Sequence, residues 1–172
     1  MKRIMLFRHA KADYDAPDDF DRRLTENGRS AARLMGRAMH EDGLRFDLIL
    51  SSPASRTTET LAEAGKGFGA QLTPRLLPDL YLATPATLLK IVQGLEDEAN
   101  LVLIAGHNPG LEQFALLLAA PNDPGAEKVK LGFKTAAYAL IALPADHWVD
   151  VEESTATVEK FVTRRDVEGR AQ

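Results

Sequence analysis

Arg8 and His9 stand directly after an apolar run, Ile4-Met5-Leu6-Phe7. A guanidinium beside an imidazole can hold an oxyanion and present a ring nitrogen to it. The device recurs along the chain. Leu101-Val102-Leu103-Ile104-Ala105 runs into Gly106-His107-Asn108-Pro109-Gly110, and Leu48-Ile49-Leu50 runs into Ser51-Ser52-Pro53 with Arg56 shortly after. Taken singly, a histidine at a strand end reads as structural, and an arginine after a serine reads as surface. Taken together, two arginines and two histidines buried without an anion would be costly. A phosphate satisfies all four. Arginine forks bind its oxygens bidentately, and helix N-termini near Ser52 and Asn108 add backbone N–H donors. The candidate catalytic set is therefore Arg8, His9, Arg56 and His107.

These residues need a scaffold that brings distant segments to one edge. Short runs of large apolar residues read as buried strands, and open α/β sheets build their sites at the carboxyl ends of such strands. Strand-like runs fall near 3–8, 47–51, 101–106 and 136–143, with a weaker one at 156–163 and a short one at 72–76. Helical patterns lie between them. Ala31, Leu34, Met35, Ala38 and Met39 share one face, with Thr25 as cap and Gly43 as terminator. Pro53 suits the first position of a second helix capped by Ser52. A third runs from Pro85, with Leu88, Leu89, Val92 and Leu95 inward. A fourth starts at Pro109, capped by Asn108. The alternation predicts an α/β fold with a mainly parallel sheet. The last strands, with no helical pattern between them, predict an antiparallel part. Residues 1–163 read as one domain, and 13–22 and 121–135 as polar loops. Residues 164–172 read as a C-terminal tail that frays.

At 172 residues the chain can bury a full core. A net charge of −4 gives no pointer to nucleic acid or an anionic membrane. The absence of cysteine excludes disulfides, thiolate catalysis and cysteine zinc sites. The apolar segment after Met1-Lys2-Arg3 is too short for a signal peptide, and no stretch reaches membrane-spanning length. A cytoplasmic location is the default expectation.

Other features have plain readings. Asp13, Asp15, Asp18, Asp19 and Asp21 read as turn formers in a solvated loop, though one of them could donate a proton or the loop could orient a substrate. The spacing fails as a calcium loop, because Asp18 and Leu24 occupy the positions that need Gly and Glu. Lys11, Arg22 and Asn108 are candidate substrate contacts, with surface exposure the alternative for the two cations. Gly65-Lys66-Gly67-Phe68-Gly69 closes a helix instead of opening one, so it reads as a cap and turn, not a dinucleotide loop. His40 and His147 read as structural or surface residues.

The motifs carry a resemblance. Leu6-Phe7-Arg8-His9-Ala10 resembles the "RHG" signature of the histidine phosphatase, or phosphoglycerate mutase-like, superfamily. The likeness continues through Leu24-Thr25-Glu26-Asn27-Gly28, Ser51-Ser52-Pro53-Ala54-Ser55-Arg56-Thr57 and Gly106-His107-Asn108-Pro109-Gly110. The short chain, Arg8-His9-Ala10-Lys11 and the segment ending in Leu111 are most similar to the SixA-type branch of phosphohistidine phosphatases. The resemblance implies a three-layer α/β/α sandwich and a covalent mechanism without metal or cofactor. His9 would attack phosphorus, and water would release phosphate from the phosphohistidine. Arg8, Arg56 and His107 would neutralise the equatorial oxygens. A nucleophilic neutral imidazole fits this at pH 7, provided its other nitrogen donates to a backbone carbonyl.

Larger members of that superfamily supply a carboxylic acid in a "LxE" segment. The corresponding stretch here reads Asp79-Leu80-Tyr81-Leu82-Ala83-Thr84, without Glu. Phosphohistidine suits such a site, because its leaving imidazole can carry its own proton. The expected substrate is a phosphohistidine on a partner protein. A small phosphomonoester is the alternative, and a non-catalytic phosphoprotein-binding module is the rival from another class.

Overall fold

The computed structural model describes residues 1–170. Its centre is the run that opened the sequence. β1 (Lys2–Arg8) alternates Ile4 and Leu6 toward one core with Met5 and Phe7 toward another, and all four are fully buried. Where a strand is covered on both faces its residues are apolar in an unbroken run, which is why Ile4–Phe7 shows no alternation in sequence. β4 (Leu101–Gly106) does the same with Val102 and Ile104 against Leu103 and Ala105.

Six strands form one sheet in the order β3-β2-β4-β1-β5-β6. β2 (Leu48–Ser51), β3 (Arg75–Leu76), β4 and β1 run parallel. β5 (Tyr138–Leu143) and β6 (Thr157–Val162) add an antiparallel hairpin beside β1. The mainly parallel sheet with an antiparallel flank matches the expectation from the helix-free final strands. On one face lie α1 (Glu26–Glu41), α2 (Ser55–Phe68) and α6 (Arg164–Arg170); on the other lie α3 (Pro85–Gln93), α4 (Gly110–Leu118) and α5 (Pro124–Val129). The fold is thus a three-layer α/β/α sandwich of the phosphoglycerate mutase-like type.

Local chemistry sets most helix ends. The Thr25 side chain accepts from the Gly28 amide to start α1, and Thr84 accepts from the Thr87 amide to start α3. Gly69 takes a left-handed φ of +85° after α2, so the glycine-rich segment is the cap it was expected to be. Gly28 lets α1 lie against the chain after β1: a Cβ there would come within 2.1 Å of the Lys11 carbonyl oxygen.

Four local expectations are corrected. α2 begins at Ser55, not Pro53, with Ala54 at its cap position; the Ser52 hydroxyl accepts from the Ala54 amide ahead of the helix and also lies against His107. α4 begins at Gly110, while Asn108 holds the Glu112 amide and the Phe133 carbonyl. The stretch 121–135 is not all loop, since Asp123 caps the short α5. The segment after Thr163 is helical as far as Arg170. Val167 is buried against the α1 side, and Arg164 Nη1 donates to Asn27 Oδ1 at 2.6 Å. Residues 171 and 172 of the expected tail lie outside the described residues. No described helix is long and apolar enough to cross a membrane.

Candidate active site

Sheet register alone brings the two histidine segments together. Arg8 on β1 pairs with Gly106 on β4, so the residues that follow each strand emerge side by side. The His9 amide donates to the Gly106 carbonyl at 3.1 Å, and the Ser52 amide donates to the Ala105 carbonyl at 3.1 Å. Three adjacent parallel strands therefore deliver His9, His107 and the Ser52–Arg56 segment to one edge. The His9 and His107 ring centroids are 5.4 Å apart.

A cavity of about 290 Å³ opens there, at the lower end of the small-ligand range. Arg8, His9, Arg56, His107, Lys11, Arg22 and Asn108 all line it, so every candidate residue from the sequence meets in one place. Two further lining groups, Tyr14 and Asp19, come from the acidic loop.

His9 is buried, and its Nδ1 lies 2.7 Å from the Ala10 carbonyl oxygen. A carbonyl only accepts, so Nδ1 carries the proton and Nε2 keeps its lone pair. Arg56 Nε donates to that Nε2 at 3.3 Å. Burial, with the nearby charges of Arg56, Arg8 and Arg22, lowers the His9 pKa to about 4. The ring is neutral at physiological pH. His107 is also neutral, lowered to about 3 by burial first and then by Arg56. Its Nε2 lies 2.8 Å from Ser52 Oγ, and the Tyr81 ring meets it edge-on.

Arg8 Nη1 donates to the Phe133 carbonyl at 2.7 Å. Arg8 Nε and His107 Nδ1 are buried without a hydrogen-bond partner among the described residues. Each such atom costs about 1–3 kcal/mol, and both belong to side chains that line the cavity. Lys11 is exposed, and its backbone carbonyl accepts from the Thr25 amide. Arg22 stacks on Tyr14, donates to the Asp13 carbonyl and pairs with Asp19 Oδ1 at 3.0 Å.

Asp19 is the residue that sequence reasoning undervalued. It lies in a one-turn 3₁₀ helix, Asp19–Asp21, and its carboxylate accepts from Arg56 Nη2 at 2.9 Å. Its backbone carbonyl accepts from Arg56 Nη1 at 2.6 Å, and Tyr81 Oη donates to its carboxylate. The Tyr81 hydrogen bond, then those of Arg22 and Arg56, hold its pKa far below the usual carboxylate range. Five aspartates in nine residues look alike in sequence. An available signal was Phe20, an apolar aromatic residue next to Asp19 inside a polar loop, which packs edge-on against Tyr81.

His40 packs edge-on against Phe68, and His147 pairs with Asp97 at the surface; neither lines the cavity. No group of three or more His, Asp or Glu side chains among the described residues could hold a metal ion.

Comparison with known proteins places this geometry in a class. The profile of the histidine phosphatase superfamily (branch 1) matches residues 4–81. Phosphohistidine phosphatase SixA of Escherichia coli is 31% identical over 108 residues, covering 62% of this chain and 67% of that protein. The chain belongs to the histidine phosphatase superfamily, in its SixA-type branch. A protein of unknown function from Mycobacterium tuberculosis is 32% identical over 158 residues, covering 90% of this chain and 97% of that one. Among solved structures, a candidate phosphohistidine phosphatase SixA from Nakamurella multipartitia superposes with a TM-score of 0.81 at 26% identity, over 94% of this chain and 95% of that one. A phosphatase fold and a phosphate-binding site follow from that membership.

Proposed function

We propose that this chain hydrolyses phosphohistidine on a partner protein through a phosphoryl intermediate on His9. The observation that carries the reading is the state of His9. Its proton is fixed on Nδ1 by Ala10, and its Nε2 lone pair lies beside Arg56. In the first step Nε2 bonds to phosphorus as the substrate P–N bond breaks. The leaving imidazole keeps the electron pair and departs neutral, because its other ring nitrogen already holds a proton. In the second step water attacks phospho-His9, the new P–N bond breaks, and phosphate leaves with the water's oxygen. The guanidinium groups of Arg8 and Arg56 stabilise the equatorial oxygens in both steps. Lys11, Arg22 and Asn108, on the same cavity, serve as outer contacts.

The restriction to P–N substrates rests on Asp19 and Tyr81. An efficient general acid has a pKa near the working pH. Asp19 is held ionised, and Tyr81 is raised above its ordinary value by its hydrogen bond to Asp19. Asp19 has no proton to give an alkoxide, and the Tyr81 hydroxyl already donates its proton to Asp19. A bare binding module would need the arginines but no imidazole with a fixed tautomer.

Two measurements test this. Brief incubation with a phosphohistidine peptide should leave acid-labile, alkali-stable phosphate on the protein, and His9→Ala should abolish it. The same peptide should turn over faster than an alkyl phosphomonoester. Equal rates on the two would remove the substrate assignment, and an unlabelled wild type would remove the intermediate.

A further inference from the structure

Beside the catalytic cavity lies a second, larger depression of about 940 Å³, between the loop after α5, the end of β6 and α6. Five cationic and two acidic side chains line it, against a net charge of −4 for the whole chain. Both acids are already engaged. Glu168 pairs with Arg164 at 2.8 Å, and Asp166 accepts from the Thr163 amide and hydroxyl. Lys128, Lys134 and Arg165 are exposed and stand outside the salt bridges among the described residues. No described carboxylate lies within salt-bridge distance of these three, and the cations of the lining outnumber its acids.

The depression adjoins the site. Thr135 lines both it and the catalytic cavity. The loop between them is anchored on its inner side, where the Phe133 carbonyl accepts from both Arg8 and Asn108. Leu131, 83% exposed, stands on the groove's wall as an apolar contact amid the cations.

We propose that this groove docks an acidic face of the phosphorylated partner protein, so that the phosphohistidine enters the adjoining cavity. The inference rests on the phosphohistidine reading above and adds the partner's chemistry to it. Complementary charge beside a small cavity raises the encounter rate and sets orientation, while the chemistry remains with the cavity residues. A partner presenting carboxylates flanking the phosphorylated histidine fits. A neutral or basic one does not.

The test uses two phosphohistidine peptides that differ only in flanking residues, four Glu in one and four Gln in the other. Wild type should favour the Glu peptide in kcat/KM by about tenfold at low salt, and the preference should shrink as salt rises. Lys128→Glu combined with Arg165→Glu should erase that preference and leave turnover of the Gln peptide unchanged. Both positions are exposed helix sites, so the fold should tolerate the change. An absent preference in wild type, or one that survives the double variant, overturns the docking proposal. Anisotropy with the unphosphorylated peptides reads docking without turnover. If neither phosphopeptide is hydrolysed but the Glu peptide still binds this groove, the catalytic reading fails and the docking surface stands. A single-stranded oligonucleotide binding more tightly than the Glu peptide would assign the groove to nucleic acid and overturn the proposal.

Discussion

Both histidines are buried in a field of arginines, and acid should therefore unfold this protein by a measurable route. The folded pKa values are about 4 for His9 and about 3 for His107. An unfolded imidazole titrates near ~6.5. Where the unfolded chain binds more protons than the folded one, stability falls as pH falls. For these two groups the loss begins near the unfolded value and continues down to the folded values. At about pH 5 the unfolded imidazoles are almost fully protonated while the folded ones remain neutral, so each costs about 2 kcal/mol relative to about pH 7.5. Two such costs are a large share of a typical total stability of roughly 5–15 kcal/mol. The carboxylates with lowered values, among them Asp19, Asp42 and Glu63, contribute their losses at more acid pH. His147, raised by Asp97 at the surface, acts in the opposite sense.

The assay is urea unfolding of wild type and two single variants at both pH values. His9→Asn keeps a donor for the Ala10 carbonyl, and His107→Gln keeps a polar end near Ser52; each removes one titrating ring. His147 is common to all three proteins, so its effect cancels. Each variant should lose about 2 kcal/mol less than wild type on acidification. Identical pH slopes in all three would refute the buried neutral imidazoles, and with them the prepared nucleophile.

Other outcomes follow from the same contacts. Asp19→Asn should lower turnover of alkyl and p-nitrophenyl phosphomonoesters by the same factor, because an ionised carboxylate does not protonate the leaving group. A loss concentrated on the alkyl ester, of about 10²-fold or more, would make Asp19 the acid. Arg56→Lys should cut kcat/KM by at least about 10²-fold, since one ammonium cannot reproduce the bonds to His9 and to the backbone carbonyl and carboxylate of Asp19; steady-state kinetics decides it. Gly28→Ala should destabilise by about 1–3 kcal/mol in the same urea assay, because its Cβ would meet the Lys11 carbonyl oxygen and the backbone must shift.

Legibility in the sequence followed burial. The Ile4–Phe7 stretch of β1 and the whole of β4 are apolar because helices cover both their faces, and that made them plain. Arg8, His9 and His107 were readable because they interrupt such runs where a strand must end. α5 was missed because only Ala126 and Val129 of its six residues turn inward, too few to show a helical period. α6 was missed for the same reason, with Val167 alone buried. Asp19 is a different case. Its role depends on the chain folding back over Arg56, 37 residues away, and no local pattern separates it from its four neighbouring aspartates. Loop residues that act through long-range contacts carry no periodicity to read.

Asp19 and the arginines together explain how the site can be both charged and ready. Burial first, and then the same arginines that would receive a phosphoryl group, keep His9 unprotonated at neutral pH. An imidazolium there would cost too much, so in the proposed mechanism His9 needs no base to free its lone pair. The arginines also need a counter-charge, because the Arg56 side chain is only 3% exposed. Asp19 supplies it from a loop outside the sheet, with its own side chain 45% exposed. An incoming phosphoryl group, as an anion, competes with that carboxylate for Arg56 and can displace it without unfolding the core. Buried groups at the strand ends and on α2 form the site, and its counter-charge sits at the solvent side, where exchange with an anionic substrate costs least.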